Sequence, residues 1–328
     1  MKLCVTGSIA TDHLMTFAGK FSDSLIEEQL DNLSVSFLVD DLQVRRGGVA
    51  ANIAFSLGRF DLDPILVGAV GLDFSDYRSW LVRHGVDVES IHESKAAHTA
   101  RFVCTTDSAS NQIASFYPGA MSEAREIELG PIQDRVGYLD LVVVSPNDPE
   151  AMLRHTAECR ERSIRFAADP SQQLSFMGGE DIRRLIDGAA YLFTNEYEAA
   201  LTEQKTGWTA EEILDRVGTR VTTRGAKGSI IESKGAEPIE IPVVPIAAVV
   251  DPTGVGDAFR AGYIAGLAWG VSAERSAQLG SMLAALVIET TGTQEYDLNR
   301  DSFILRIEDA YGSAAAEEIG RHLPLTIV

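Results

Sequence analysis

The sequence predicts a three-layer α/β protein, in which a mostly parallel central sheet is flanked by helices and carries a small β-sheet lid. Three observations support this prediction. Buried-strand and helical patterns alternate along the first two thirds of the 328 residues, two β-rich segments interrupt that alternation, and the last third is helical. The chain can also fill a large core, since 45% of its residues are hydrophobic.

The alternating elements follow one another at regular spacing. The first strand, at residues 2–7, is a short apolar run, and the helix at 48–57 places Val49, Ile53 and Leu57 on one stripe. Further strands are predicted at 64–70, 139–145, 164–169, 190–194 and 220–223. Further helices are predicted at 76–84, 149–162, 179–187 and 209–215. Ligands of such a sheet bind at the carboxyl ends of its strands.

Two segments break the alternation. Residues 34–46 and 99–117 are rich in β-branched and aromatic residues, and the second contains a turn-forming run at 107–111. We expect them to form a lid, built from about 13–46 and 97–118, over a large α/β domain formed by the remainder. A lid made of two excursions leaves no linker, so residues 1–328 are predicted to form a single unit.

The last third contains three predicted helices. Prolines at three positions between residues 230 and 250 indicate edge strands and turns before them. The helices follow at 257–269, 272–291 and about 301–322. Ser272 is the predicted N-cap of the second helix, and Gly292 is expected just past its end.

Composition narrows the class of protein. Asp and Glu outnumber Lys and Arg by 48 to 28, and the resulting formal charge of −20 disfavours nucleic acid and anionic membranes as partners. The start of the chain lacks the pattern of a signal peptide, and the longest apolar run, 261–271, is too short to span a bilayer. We therefore expect a cytoplasmic protein. Neither the cysteines nor the histidines show metal-site spacing, and we expect reduced thiols and structural or surface imidazoles: Cys4, Cys104, Cys159, His13, His84, His92, His98, His155 and His322.

The most informative segment runs from Asp251 to Asp257, with the sequence Asp-Pro-Thr-Gly-Val-Gly-Asp. Its glycines let the backbone approach a ligand at a helix start, so Gly254, Val255 and Gly256 are predicted to form an anion hole. Asp257 beside it is suited to act as a general base. The alternative is a glycine-rich turn in which Asp257 caps the helix. A dinucleotide fingerprint is disfavoured, because its third glycine would fall on Phe259.

A second glycine cluster, Arg46-Gly-Gly-Val-Ala-Ala-Asn52, lies where the lid meets a helix. Paired glycines there allow a hinge and close contact with a substrate, and Asn52 can donate and accept hydrogen bonds. Asp12, which follows the first strand, is a carboxylate suited to binding two neighbouring hydroxyls. There is no Gly-Lys-Ser/Thr P-loop and no Gly-x-Ser-x-Gly motif.

The two clusters resemble the two signatures of the ribokinase-like (PfkB) carbohydrate kinase family, and the similarity covers about residues 6–296. Two positions depart from the family pattern: Asp61 stands where Gly or Ser is usual, and Val255 replaces a small residue. Both departures leave Asp257 and the main-chain amides in place. The resemblance implies a ribokinase-like fold and ATP-dependent phosphorylation of a hydroxyl, with Asp257 as the base.

Further residues match the family by position. Asn195 and Glu198 resemble its Asn-x-x-Glu element, which implies ATP binding and Mg²⁺ held through water by Glu198; the alternative is a polar helix start. Residues 223–228 resemble the turn that holds ATP, which points to Thr223, Gly225 and Gly228; alone this is a hairpin turn. The implied ribose site contains Ser8, Asp12, Ser36, Gly48 and Asn52. A monovalent cation such as K⁺ near the carbonyls of Asp251 and Thr253 is also implied.

Within the family, residues 6–13 and 251–262 are similar to bacterial adenosine kinases, which implies that the ribose 5′-hydroxyl of adenosine is phosphorylated. Phe102 and Phe116 lie on opposite halves of the lid hairpin, where they could stack on a base; the alternative is that they fill the underside of the lid. Gln172 and Gln173 follow a core strand and could pair with adenine, although Gln173 could equally cap the next helix.

Two rival functions remain open. One is a ribokinase or another sugar kinase of the same fold, and the other is a nucleoside-binding regulatory protein without catalysis. The partners expected are a nucleoside and ATP. A second copy of the chain is also expected, because an exposed edge of the lid sheet could be buried in a homodimer.

Overall fold

The computed structural model describes residues 1–24 and 34–325, so residues 25–33 of the predicted lid lie outside the described residues. In chain order the strands are β1 (Leu3–Thr6), β2 (Ala10–Thr16), β3 (Asp41–Gly47), β4 (Ile65–Val67), β5 (Ala69–Val70), β6 (His92–Glu93), β7 (Ala100–Thr106), β8 (Gln112–Tyr117), β9 (Leu141–Val144), β10 (Phe166–Ala168), β11 (Tyr191–Asn195), β12 (Thr219–Thr223), β13 (Ser229–Ser233) and β14 (Ile239–Ile241).

The α-helices in chain order are α1 (Phe21–Ser24), α2 (Val49–Gly58), α3 (Ser75–Arg83), α4 (Leu129–Val136), α5 (Pro149–Glu161), α6 (Gly179–Ile186), α7 (Glu196–Thr206), α8 (Ala210–Leu214), α9 (Val255–Trp269), α10 (Ala273–Ile288), α11 (Arg300–Tyr311) and α12 (Ser313–Gly320). Short 3-10 helices cover Gly119–Glu126, Ser171–Ser175 and Gly225–Lys227.

Eight strands form the central sheet in the order β14-β13-β12-β11-β10-β9-β1-β4. The six strands from β12 to β4 are parallel, and β13 and β14 extend them as an antiparallel edge. The predicted mostly parallel sheet is therefore confirmed. Because parallel strands end on the same side, β1, β9, β10 and β11 direct the loops that follow them to one edge.

Side chains of the sheet alternate between two buried clusters. Val5 and Val143 pack on the side of α2, α9 and α10, whereas Cys4 and Val142 pack on the side of α4, α5 and α6. Burying one such side chain stabilises the fold by about 1.5–3 kcal/mol. Burial on both faces explains why β9 reads as the uninterrupted apolar run Leu-Val-Val-Val, and it confirms the three-layer prediction.

A second sheet of four strands, in the order β3-β2-β7-β8, stands at the predicted position of the lid. It begins at Ala10, upstream of residue 13, and residues 34–40 contain no strand although they are β-rich. The difference arises because a strand needs partners as well as propensity. Strand β2 has polar residues such as Asp12, yet it pairs with β3 on one side and β7 on the other.

Two helix boundaries in the last third differ from the prediction. Ser272 is the N-cap of α10 as predicted, but α10 ends at Ile288, so Gly292 does not terminate it. The carbonyl of Ile288 instead accepts hydrogen bonds from the N–H groups of Val250 and Asp251. The predicted final helix is two helices, because Gly312 between α11 and α12 has a φ of 87°.

The fold also bears on the predicted thiols and membrane spans. Cys4, Cys104 and Cys159 are free and buried, as expected for unpaired thiols. Over residues 1–24 and 34–325, none of the helices is long and apolar enough to cross a bilayer.

Candidate active site

Helix α9 begins in the glycine-rich turn singled out in the sequence. Gly254 is its N-cap with φ 75° and ψ −1°, a left-handed conformation, and it makes no side-chain cap. The first intrahelical hydrogen bond runs from the Ala258 N–H to the Gly254 carbonyl, at 2.9 Å. The N–H groups of Val255, Gly256 and Asp257 have no acceptor among the described residues. With the helix dipole behind them, they can bind an anion.

The start of α9 lies between two cavities. Val255 and Gly256 line a cavity of about 460 Å³. Gly254 and Asp257 line a second cavity of about 520 Å³. An anion held by the first amides of α9 is therefore within reach of molecules bound on either side.

The 460 Å³ cavity is apolar. Val243, Val249 and Ile288 contribute to its walls, and the turn between β12 and β13 closes one side. Three of the residues predicted to hold ATP lie on this turn and line the cavity: Thr223, Gly225 and Gly228. Asn195, predicted with them, does not line it.

The 520 Å³ cavity lies between the second sheet and the carboxyl edge of the central sheet. Arg45, Asp12, Phe102 and Phe116 form one row across β3, β2, β7 and β8, since each is paired directly with the next. Paired residues share a face of a sheet, and the last three line the cavity. A carboxylate and two aromatic rings therefore face the cavity side by side. Phe116 is 52% exposed, so it does not serve as core.

The carboxyl group of Asp12, in this row, has a raised pKa. Burial raises its pKa to about 6, and repulsion from Asp251 and Glu295 adds to the shift. A Cβ on Gly47 would lie 2.8 Å from Asp12 Oδ2, so glycine leaves the room that the carboxylate occupies. Asp12 is ionised above about pH 6, where it can accept hydrogen bonds from hydroxyl groups.

The start of α2 supplies another wall of the cavity. Ser8 Oγ accepts a hydrogen bond from the Val49 N–H at 3.0 Å. Gly48 has a φ of 94°, and a Cβ there would lie 2.6 Å from the Ala10 nitrogen, so only glycine fits. Ser8 and Gly48 both line the cavity, whereas Ser36 is exposed and does not. A role for Ser36 in the site stays a prediction.

Gln172 and Gln173 both line the 520 Å³ cavity. Gln173 Nε2 donates to the carbonyl of Asn147 at 2.7 Å, which uses part of its amide. It does not cap the next helix, because the N-cap of α6 is Gly178. Gln172 is exposed, and its Oε1 accepts from the Ser171 hydroxyl at 2.8 Å.

Asp257 lies partly open at the floor of the same cavity. Burial raises its pKa to about 6 and Glu198 adds to the shift, while Arg260 and a hydrogen bond from Asn52 act against it. Asn52 Nδ2 donates to Asp257 Oδ2 at 2.8 Å. A carboxyl group that titrates near neutral pH is suited to general-base catalysis. The alternative of a helix cap is wrong, since the N-cap is Gly254.

Two further charged residues of the site were missed in the sequence. Arg260 is buried one turn after Asp257, and its Nη2 lies 2.7 Å from Asp169 Oδ1 and 3.9 Å from Glu198 Oε2. Burial raises the pKa of Asp169 to about 7, against the opposing effect of Arg260. A Cβ on Gly256 would lie 2.6 Å from Arg260 Nη1, so this glycine also makes room for the guanidinium. An arginine within the apolar helix α9 was the available signal.

Comparison with known proteins identifies the family. Residues 9–299 match the profile of the pfkB family carbohydrate kinases. The chain belongs to the pfkB family. The nucleoside kinase of Burkholderia thailandensis, solved in complex with inosine, is 35% identical and superposes with a TM-score of 0.82, covering 95% of this chain and 98% of that one. The same enzyme has been solved in complex with ADP-inosine.

Two curated relatives are archaeal nucleoside kinases. The one from Methanothermobacter thermautotrophicus is 32% identical over 76% of this chain and 80% of its own length. The one from Methanocaldococcus jannaschii is 28% identical over 86% of this chain and 91% of its own length. The predicted ribokinase-like fold and kinase activity are confirmed for this pfkB chain, and ATP is its co-substrate.

Asn195 and Glu198, which were predicted to bind ATP and Mg²⁺, lie at the start of helix α7. Glu198 Oε2 accepts from the Asn195 N–H, and Asn195 Oδ1 accepts from the Glu198 N–H, each at 2.8 Å, which forms a capping box on α7. No three His, Cys, Asp or Glu side chains in the described parts of the chain are placed to hold a metal ion. The carboxylate of Glu198 is an oxygen ligand of the kind that Mg²⁺ prefers, and its role in holding the ion through water stays a prediction. Asp169 is fully buried against Arg260 and is not such a candidate.

The predicted monovalent-cation site contains a hydrogen-bonded turn. Asp251 Oδ1 accepts from the Thr253 N–H at 2.9 Å, and Oδ2 accepts from the Gly292 N–H at 3.0 Å. Arg45 Nη1 donates to the carbonyl of Thr291 at 3.0 Å nearby. These contacts do not bear on K⁺, which stays a prediction.

Proposed function

We propose that this pfkB kinase is a nucleoside kinase that transfers the γ-phosphate of ATP to the ribose 5′-hydroxyl of adenosine, giving AMP and ADP. The observation that carries the proposal is the position of the α9 start between two cavities. ATP would occupy the apolar cavity beside Thr223, with its phosphates at the amides of α9. The nucleoside would occupy the cavity walled by Asp12 and Phe102. The relatives named as nucleoside kinases support this assignment.

Phosphoryl transfer then depends on positioning and charge. Asp257 accepts the proton of the 5′-hydroxyl, and the amides of Val255, Gly256 and Asp257 stabilise the charge that develops on the phosphoryl group. General-base catalysis of this kind contributes about 10²–10⁴ in rate. When bound, Mg²⁺ neutralises phosphate charge, and Glu198 would hold it through water. Closure of the lid sheet would exclude water from the reacting groups.

Purine recognition follows from the row on the lid. Stacking of a base on Phe102 and Phe116 is worth about 1–3 kcal/mol per base. The exposed amide of Gln172 can pair with the edge of adenine. Among the described residues that line this cavity there is no Lys or Arg, which favours an uncharged acceptor over a phosphorylated sugar. Ribose alone would leave the aromatic rings without a partner, so the ribokinase alternative is not favoured.

Initial rates of ADP formation with adenosine, inosine, guanosine, cytidine and ribose test the proposal. We expect the highest kcat/KM for adenosine. A higher kcat/KM for inosine or guanosine would still support a nucleoside kinase, but one with a preference for another base. A higher kcat/KM for ribose would favour the sugar kinase. Tight adenosine binding without ADP formation would point to the non-catalytic regulatory protein.

We also infer a homodimer formed through the lid. The face of the second sheet opposite the cavity carries Leu42, Val44 and Ile113, which are 54%, 57% and 51% exposed. Among the described residues β3 and β8 are the outer strands of this sheet, and such a patch beside them favours association. Sedimentation velocity should show a dimer, and Val44→Asp should shift it to a monomer; a monomeric wild-type chain would refute the inference.

The proposed location is the cytoplasm. Free buried thiols such as Cys104 are typical of a reducing compartment. Cell fractionation tests this, and recovery of the protein outside the cytoplasm would contradict it.

A further inference from the structure

The Asp257 carboxylate lies at the end of a chain of side-chain hydrogen bonds that begins outside the cleft. Trp80 Nε1 donates to Gln294 Oε1 at 3.0 Å. Gln294 Nε2 donates to Asn52 Oδ1 at 2.9 Å, and Asn52 Nδ2 donates to Asp257 Oδ2 at 2.8 Å. Gln294 is 1% exposed, so water does not compete for its amide.

The donor-to-acceptor direction of this series of hydrogen bonds is fixed at Trp80, where the series begins. The Trp80 indole can only donate a hydrogen bond. The Tyr77 hydroxyl gives its one proton to the Gly47 carbonyl at 2.9 Å, so it can only accept the second N–H of Gln294, at 2.6 Å. Both neighbours therefore require the same orientation of the Gln294 amide, with its oxygen towards Trp80.

The orientation of Gln294 in turn fixes the Asn52 amide. A reversed Asn52 would place its NH₂ against the NH₂ of Gln294 and its oxygen against Asp257 Oδ2, and both contacts are repulsive. Thr293 also lies 2.9 Å from Asn52 Oδ1, but its hydroxyl has a single proton and is 3.0 Å from the Arg46 carbonyl as well. Gln294 is the donor to Asn52 that is not shared in this way.

We propose that Gln294 is a positioning residue for phosphoryl transfer: through Asn52 it holds the Asp257 carboxylate with Oδ2 bound and Oδ1 directed to the acceptor hydroxyl. This inference rests on the proposed function, in which Asp257 takes the proton. In the described parts of the chain, Asp257 Oδ1 accepts no hydrogen bond and Asp257 lines the nucleoside cavity. Gln294 touches neither substrate cavity, so its effect reaches the reaction only through Asn52.

Other charged groups also act on Asp257. Arg260 on α9, Glu198 on α7 and Asp169 after β10 surround it, and Asp12 of the lid faces the same cavity. All four remain in the variants used below. A change in the pH dependence of kcat therefore reports the hydrogen bonds through Gln294 and Asn52 rather than these charges.

The variant Gln294→Met keeps the length of the side chain and removes its amide. Because the ionised form of the Asp257 carboxyl is less well stabilised, we expect the acid limb of the kcat–pH profile to move up by about one pH unit. At pH 6, kcat should therefore fall about fivefold. The KM for adenosine should stay within about threefold, since the residues walling the nucleoside cavity are intact. The matched control is Tyr296→Phe, which removes a buried 2.9 Å hydrogen bond to Ser56 and should leave the profile unchanged.

A double-mutant cycle decides between positioning and a general structural effect. In an Asn52→Ala background, Gln294→Met should lower kcat by less than about twofold, because the path through Asn52 is already absent. If the two substitutions instead lower kcat independently, so that their fold losses multiply, the inference is overturned. If Gln294→Met does not fold, the double variant Tyr77→Phe/Trp80→Phe, which removes both groups that orient the Gln294 amide, should move the acid limb in the same direction, and an unchanged limb would overturn the inference. Absence of turnover in the wild-type enzyme overturns the proposed function as well, whereas an unchanged profile in active Gln294→Met overturns the positioning role alone.

Discussion

Replacing Asp257 with Asn separates the catalytic and the energetic consequences of this carboxylate. Asn has the same size and still offers an oxygen to the Asn52 amide, which donates to Asp257 Oδ2 at 2.8 Å. It cannot accept the 5′-hydroxyl proton, so we expect kcat to fall by about 10²–10⁴. The residues that would hold the nucleoside, such as Asp12 and Phe102, are untouched, and its Kd should change by less than about threefold.

The same substitution should stabilise the fold. The pKa of Asp257 is about 6 in the folded chain against an ordinary value of 3.8, so the folded state binds more protons between these values and stability falls as pH rises through them. Two pKa units correspond to about 3 kcal/mol, and water in the open cleft reduces this to about 1–2 kcal/mol. Asn carries no charge, so above pH 6 the variant should melt about 2–3 °C higher.

Three measurements check this prediction: single-turnover kinetics, adenosine binding by calorimetry, and thermal melts at pH 4 and pH 8. The stability gain should be full at pH 8 and much smaller at pH 4, where the wild-type carboxyl is protonated in the folded state and about half protonated in the unfolded state. A variant that keeps kcat within tenfold of wild type, or that melts lower than wild type at pH 8, would refute the reasoning.

Four further substitutions, one of them a control, test the rest of the site. Gly254→Ala and the control Gly270→Ala both force a side chain onto a φ near 75°, which costs about 1–2 kcal/mol in melts, and Gly254→Ala costs more because its Cβ would lie 2.6 Å from Thr293 Cγ2. Only Gly254→Ala should raise the KM for ATP; equal KM values would contradict the anion hole. Phe116→Ala should weaken adenosine binding about 5- to 100-fold with little change in melting temperature, and unchanged affinity would exclude stacking. Arg260→Met should destabilise the fold by about 3–5 kcal/mol, because it leaves buried carboxylates uncompensated. The loss of unfolding free energy in Arg260→Met should be larger at pH 8 than at pH 5, because protonation of Asp169 removes the uncompensated charge. A pH-independent loss would contradict this role of Arg260.

The part of the site that local motifs encode was predictable. The glycine turn before Asp257 and the cluster around Asn52 each place a residue through a short stretch of backbone, and the structure brings both to the same cavity. The turn at residues 107–111 likewise set Phe102 opposite Phe116. In these cases the neighbours that decide the geometry are close in sequence.

The part that depends on distant contacts was not predictable. Gln294 meets Asn52 across 242 positions, and Arg260 of α9 meets Asp169, which directly follows β10. Gln294 belongs to no local pattern, and the apolar surroundings of Arg260 on α9 indicate burial but not a partner. Both partners are known only once the layers are packed. Strand β2 was placed incompletely for a similar reason, because its pairing on both sides outweighs the low β propensity of Asp12.

A structure with adenosine and a non-hydrolysable ATP analogue tests the central claim most directly. We predict the terminal phosphate at the N–H groups of Val255, Gly256 and Asp257, and the adenosine 5′-hydroxyl about 2.6–3.2 Å from the Asp257 carboxylate. A phosphate chain bound away from the start of α9, or a 5′-hydroxyl that points away from Asp257, would contradict it.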